Sequence, residues 1–263
     1  MCPPSVMVAI NPKTLKVTAQ ITLPQMIGGR ITTTVYNGKD EIYLPGTSKL
    51  YRYTYQHGSF ALDDSWGPVP YLKSGQTAAS AMAVMGNYVV TMTNGGAPTS
   101  TPMSVIAVSQ ASATQVANLE PFASSGAKNS FIPSMVSVDP QNNRIYVMDA
   151  GAGKLAGVNL QDGKLSPAWT QDQTTLSFTT LLGPKDQRML IGTNIPVKTF
   201  QGLKKVHHRA SHLARRPDRQ GTGQLEPVPQ DDPGHPRHPG YAGLQYFLTA
   251  DGHIIALQVT PKS

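Results

Sequence analysis

Five short strand-like runs with an aromatic or aliphatic centre recur along the chain: EIYL around Tyr43, YVVT around Val89, RIYV around Tyr146, RMLI around Leu190 and QYFL around Phe247. Successive centres lie 46, 57, 44 and 57 residues apart. The fullest copies align over their whole length, DEIYLPGTSKLYRYTYQHGSFALDDSW ending at Trp66 and NRIYVMDAGAGKLAGVNLQDGKLSPAW ending at Trp169. A unit of this size holds about four short strands, and such a sheet buries both of its faces only by stacking on its neighbours. The expected fold is therefore all-β: a partial β-propeller of about five blades, each a four-stranded antiparallel sheet.

The rest of the sequence agrees with this. Through residue 200, short β-branched or aromatic runs alternate with Gly, Pro, Asn and Asp, and no helical period is sustained. Strands are expected at 6–10, 17–23, 31–36, 41–44, 49–55, 88–93, 104–108, 135–138, 144–148, 155–159, 189–192, 244–249 and 253–259. Charged residues are only 14% of the 263, which leaves little material for salt-bridged helices. Cys2 is the only cysteine, so an intrachain disulfide, a multi-cysteine zinc site and a C-x-x-C redox pair are excluded.

No run of 18 apolar residues is present to span a bilayer. Met1 to Pro4 lead straight into the strand-like Val6 to Ile10 with no basic and apolar leader pattern. That start suggests a mature form, or a fragment lacking its N-terminal part.

Residues 202–240 depart from the pattern on either side. They hold five of the seven histidines, five of the nine arginines and six prolines, with no Phe, Trp, Tyr or Ile. The organisation read from this is propeller blades over 1–201, a Pro/Arg/His-rich irregular segment over 202–240 and closing blade strands over 241–263. Four readings of the segment stand together. It is a solvated loop too poor in apolar groups to order itself, or a stretch translated out of frame. One permitted set of codons for Asp231 to Gly240, read one base later, encodes Met-Thr-Pro-Gly-Thr-Leu-Val-Thr-Pro-Gly, a strand-like run. The third reading is a metal site at His207, His208 and His212, opposed by the adjacent cations and by the lack of an acidic third ligand. The fourth is nucleic-acid binding, opposed by the lack of interleaved aromatics for base stacking. No metal site is assigned, and nucleic acid is not the expected partner of the net +7 charge.

Catalytic signatures are missing: no Gly-x-Ser-x-Gly elbow, Walker loop, Gly-x-Gly-x-x-Gly or His-Glu-x-x-His occurs. His57 and His253, each beside a glycine, read as hairpin tips. Asp63 and Asp64 read as a solvated turn pair with calcium binding as the alternative; Asp139 and Asp162 read as ordinary turn residues. Asp149 and Asp251 each close a strand, where they could line one end of the propeller. Trp66 and Trp169 are expected to pack between blades, with ligand contact as the alternative. Asp149, Asp251, Trp66 and Trp169 are thus the candidate ligand-binding residues.

The strings AINPKTLKVTAQITLP (Ala9 to Pro24) and SVDPQNNRIYVMDAGAGKLAGVNLQDGKL (Ser137 to Leu165) resemble blade segments of bacterial β-propellers of the quinoprotein-like and YncE-like superfamily. The likeness covers most of residues 6–200 and 241–263. It implies an extracytoplasmic, periplasmic or secreted protein that binds a small molecule or a protein partner at a propeller face. A fragment of a propeller dehydrogenase or hydrolase is the alternative. Quinone as cofactor is not implied: Asp162 stands where the docking motif of such enzymes has Thr, Trp169 follows Lys164 at too long a gap, and a vicinal cysteine pair is impossible. The cofactor stays unknown.

Overall fold

The computed structural model describes residues 5–79, 81–96, 101–125, 130, 132, 135–173 and 183–194, together with the strands Ala210–Arg215, Thr222–Gln224, His238–Pro239, Leu244–Leu248 and Ile254–Gln258. Six antiparallel sheets follow one another along the chain. The first contains Val6–Ile10 and Val17–Thr22. The second runs Thr32–Tyr36, Lys39–Pro45, Lys49–Gln56 and Ser59–Leu62, with Val69–Pro70 also bonded to the third of these. In the third sheet, Thr77–Ala78 and Ala83–Met85 share the place of a first strand, followed by Tyr88–Asn94, Val105–Ser109 and Val116–Leu119. The fourth runs Ser137–Asp139, Arg144–Asp149, Lys154–Gln161 and Lys164–Asp172. The fifth pairs Met189–Asn194, Ala210–Arg215 and Thr222–Gln224, and the sixth pairs His238–Pro239, Leu244–Leu248 and Ile254–Gln258.

Tyr43, Val89, Tyr146, Leu190 and Phe247, the five repeat centres, fall in five different sheets. Among the described residues there is no α-helix, only three short 3-10 turns. Inside the segment 202–240, Ala210–Arg215, Thr222–Gln224 and His238–Pro239 are paired strands, and the rest of it lies outside the described residues.

Successive side chains of a strand point to opposite faces, and here each face meets a different sheet. Ile42 and Leu44 pack on Met7 and Leu23 of the first sheet, while Tyr43 between them packs on Val89, Ile106 and Val108 of the third. Val90 and Met92 then face Ile145, Val147, Ala156 and Val158 of the fourth sheet, whose Tyr146, Met148 and Leu155 turn towards Leu190 of the fifth. Fully burying a Val, Leu or Ile contributes roughly 1.5–3 kcal/mol, and nearly all of that burial lies between sheets rather than within one. The first strands of the second and third sheets adjoin, as do those of the third and fourth, and so do the fourth strands of the third and fourth sheets. Stacking at matched positions gives the radial, blade-like order.

Two-residue turns close three of the hairpins at one end of the sheets. Asn37-Gly38, His57-Gly58 and Asp162-Gly163 each have positive φ at both positions, +49° and +74°, +51° and +76°, and +50° and +75°. This is the type I′ geometry whose twist matches that of paired strands. The fourth strands Ser59–Leu62, Val116–Leu119 and Lys164–Asp172 were not expected from the sequence. They are half-exposed along their length, so their apolar signal is weak.

Candidate functional site

The alternation that places Leu50 towards the third sheet places Arg52 there as well, and a buried polar cluster forms around it. Arg52 Nε and Nη2 donate to Asp63 Oδ2 at 2.9 and 2.6 Å, and Nη1 donates to the Gln110 carbonyl at 2.6 Å. The guanidinium lies 5.1 Å from the Trp66 ring centre, and its Nε is 3.6 Å from Glu41 Oε2. Tyr43 donates its hydroxyl to Gln110 Oε1 at 3.0 Å, and Gln110 Nε2 donates to the Gly86 carbonyl at 2.8 Å. One guanidinium thus serves two carboxylates. Burial would raise the Asp63 pKa, but hydrogen bonds from Ser65 and Arg52 outweigh it and hold the carboxyl below its usual range. For Glu41 burial wins over the attraction of Arg52 and pushes the carboxyl up; its Oε2 is buried with no hydrogen bond. Burial also raises Tyr43.

Asp63 is therefore not the solvated turn residue the sequence suggested, because the cross-strand register sets it beside Arg52; Asp64 is exposed. Two carboxylates beside one base is an arrangement an enzyme could use. Here both are turned into a seam between sheets and committed to Arg52.

A related cluster sits between the fourth and fifth sheets. Tyr146 and Trp169 stand 23 residues apart, as do Tyr43 and Trp66, and both pairs are in ring contact, with centroids at 6.1 and 5.4 Å. Asp139, read as an ordinary turn residue, is fully buried: Oδ2 accepts from Asn142 Nδ2 at 2.7 Å and lies 3.3 Å from Arg188 Nε. Asp139 Oδ1, Arg144 Nε, Arg188 Nε and Trp169 Nε1 are buried without hydrogen bonds. Burial, with Asp139 nearby, raises the Tyr146 pKa.

Of the four sequence-derived candidates, the three that are described are not gathered into one place. Trp66 is 3% exposed, and its indole nitrogen donates to the Ser109 carbonyl at 2.9 Å, so it joins the second sheet to the third. Trp169 is half-buried over Gly157. Asp149 is buried at the end of its strand, where Oδ1 accepts from the Ala152 amide at 3.1 Å and shapes the turn to the next strand. Asp251 lies outside the described residues, as does His253. His57 is an exposed turn residue. Among the described residues no three of His, Cys, Asp or Glu come together as metal ligands, and no helix is long and apolar enough to cross a membrane.

The two ends of the sheets differ. Opposite the two-residue turns lie the two longest connections of the second and third sheets, 63–76 between them, which includes the strand Val69–Pro70, and 95–104 within the third, beside the short links 46–48 and 150–153. The end with the two-residue turns also carries the connections 11–16 and 110–115. Polar side chains order this end: Gln76 Nε2 donates to the Pro102 carbonyl and to Ser104 Oγ, and Asn94 donates to the Ala78 carbonyl while accepting from the Ile132 amide. Asp149 lies at the same end of its own sheet.

Antiparallel sheets stacked face to face in chain order, with like strands adjoining, define a β-propeller-like protein. No protein-family model and no curated protein sequence matches the chain. Among solved structures it is similar to a functionally unknown protein from Desulfotomaculum acetoxidans, with a TM-score of 0.62 and 11% identity over 96% of this chain and 75% of that one. It is also similar to a luciferin-regenerating enzyme, with a TM-score of 0.53 and 10% identity over 97% of this chain and 84% of that one. At such identities the likeness is one of fold.

Proposed function

We propose that the chain is the binding part of an extracytoplasmic β-propeller of the quinoprotein-like or YncE-like group, taking a small molecule or a protein partner at the end of the sheets that carries the long connections. The observation that carries this reading is the difference between the ends. Two-residue I′ turns leave little backbone to contact a partner, whereas connections held on a rigid scaffold are where binding residues concentrate. Asp149 supports that end by fixing the turn after its strand, and Asp251 is the second carboxylate candidate. Trp169, with an unused indole N–H, is the aromatic candidate, and Trp66 holds the wall behind.

The test is chemical-shift mapping with acetate, glycerol, indole and guanidinium as probes of anion, polyol, aromatic and cation recognition. Shifts clustered on 63–76, 95–104 and 150–153 support the reading. Shifts confined to Asn37-Gly38, His57-Gly58 and Asp162-Gly163 refute it. For the compartment, export of the gene's complete product fused to a reporter active only outside the cytoplasm is expected.

A further inference from the structure

Two asparagines of the chain precede a glycine, Asn37 before Gly38 and Asn94 before Gly95. Such a dipeptide carries its own chemistry. The carboxamide carbon of the asparagine lies one ring closure away from the next backbone nitrogen, and a glycine there puts no side chain in the way. Closure needs a carboxamide that can turn, a glycine N–H that can give up its proton, and a backbone that can adapt.

In Asn94-Gly95 the fold holds all three. Asn94 Nδ2 donates to the Ala78 carbonyl at 3.1 Å, and its Oδ1 accepts from the Ile132 amide at 2.9 Å. The Gly95 N–H donates to Ser130 Oγ at 2.8 Å, and Asn94 is paired with Thr77 across the ladder. Asn37-Gly38 is the opposite case. Both residues are exposed at a hairpin tip, beyond the last ladder pair of Tyr36 with Lys39. A two-residue turn leaves its second N–H outside the ladder. Among the described residues neither the Asn37 carboxamide nor the Gly38 N–H has a hydrogen-bond partner in the protein. Nothing lies within 4 Å of where a Gly38 side chain would begin.

We propose that Asn37 is a self-modification site, and that the hydrogen bonds around Asn94 spare the same dipeptide there. The Gly38 nitrogen attacks Asn37 Cγ. As that bond forms, the carboxamide C–N bond breaks, and the proton from Gly38 leaves with the amide nitrogen as ammonia. Water then opens the succinimide ring. Addition at Cγ gives aspartate and addition at the Asn37 main-chain carbonyl carbon gives isoaspartate, with water as the only co-reactant.

Both products place a new negative charge beside Asp40 at the tip. Isoaspartate also lengthens the backbone by a methylene, so the I′ turn with its two successive positive φ values no longer fits between Tyr36 and Lys39. The loosening starts at the tip. Thr32, at the far end of the same strand, stays tied to the third sheet through its hydroxyl on the Met82 carbonyl at 2.7 Å. The spared dipeptide opens the connection 95–104 and the reactive one stands at the other end of the sheets, but the inference does not rest on the binding reading.

The experiment holds the folded chain at mildly alkaline pH in heavy-oxygen water and follows label uptake by peptide mass spectrometry, with enzymatic methylation of isoaspartate as a second readout. Asn37 is expected to react at least about tenfold faster than Asn94, which reacts only through local opening. In urea the two rates are expected to converge, because the fold alone separates them. An Asn37 no faster than Asn94 in the folded chain overturns the proposal, and so does a ratio that urea leaves unchanged. In the isoaspartate product, separated by ion exchange, the Tyr36 and Lys39 amides are expected to exchange about tenfold faster or more. Unchanged exchange overturns the loosening of the turn. No ligand enters any of these readouts, so this inference and the functional reading fail separately.

Discussion

Trp66 donates its indole N–H to the carbonyl of Ser109 at 2.9 Å, across the seam between the second and third sheets. Trp169 follows its own tyrosine at the same spacing, yet its N–H is buried without a hydrogen bond. The repeat preserves the ring contact. It does not preserve the bond, because that depends on what the next sheet presents.

The two tryptophans should therefore respond differently to the same change. Trp66→Phe strands the Ser109 carbonyl and should cost about 1–2 kcal/mol, whereas Trp169→Phe, which breaks no hydrogen bond and removes an unpaired buried N–H, should cost less. Urea unfolding followed by circular dichroism measures both, and equal losses would show that the bond to Ser109 contributes nothing.

Arg52 is the shared partner of Asp63, Glu41 and the Gln110 carbonyl. Arg52→Met keeps much of the apolar stem but leaves buried carboxylates uncompensated, and the expected loss is roughly 3–5 kcal/mol. Pairing the change with Asp63→Asn should restore part of that stability. A double variant no more stable than Arg52→Met would contradict the pairing.

Asp63 and Glu41 should pull the pH dependence in opposite directions. The Asp63 carboxyl titrates below its usual range when folded, so its contribution is complete above the unfolded pKa and is lost as pH falls through the folded one. Glu41 is raised, so the folded state holds its proton more tightly, and stability declines as pH climbs from the unfolded pKa to the folded one. Asp63→Asn should thus destabilise at neutral pH and progressively less in acid. Glu41→Gln should be neutral or stabilising at neutral pH, a difference that vanishes below the ordinary carboxylate range. Stability measured from pH 2 to 8 for the two variants checks both signs.

Gly157 lies beneath the Trp169 indole, and a methyl added there would sit 2.5 Å from its Nε1. Gly157→Ala should displace the ring at a cost of about 1–3 kcal/mol and shift Trp169 emission, read in a Trp66→Phe background. An unchanged spectrum would mean that the indole does not rest on the glycine.

Much of the architecture was legible because strand alternation is local. EIYL, RIYV and YVVT carry apolar residues at consecutive positions, and a strand does so when both of its faces are covered. The dipeptides His57-Gly58 and Asp162-Gly163 marked turns for an equally local reason, the ease with which these residues take positive φ, whereas Asn37-Gly38, a hairpin of the same kind, was not singled out. The outermost strands escaped notice because half-exposed positions accept polar and apolar residues alike.

The linear order of residues determined an all-β chain of repeated units and the positions of most inner strands. The tertiary structure decided which polar groups meet. Glu41, Arg52 and Asp63 are brought together by register, and Gln110 joins them only when the third sheet stacks on the second. Whether a carboxylate ends as a solvated turn, like Asp162, or a buried partner, like Asp139, depends on what lies across a seam. Contacts across a seam join residues far apart in the chain, and the local pattern of either segment does not encode them.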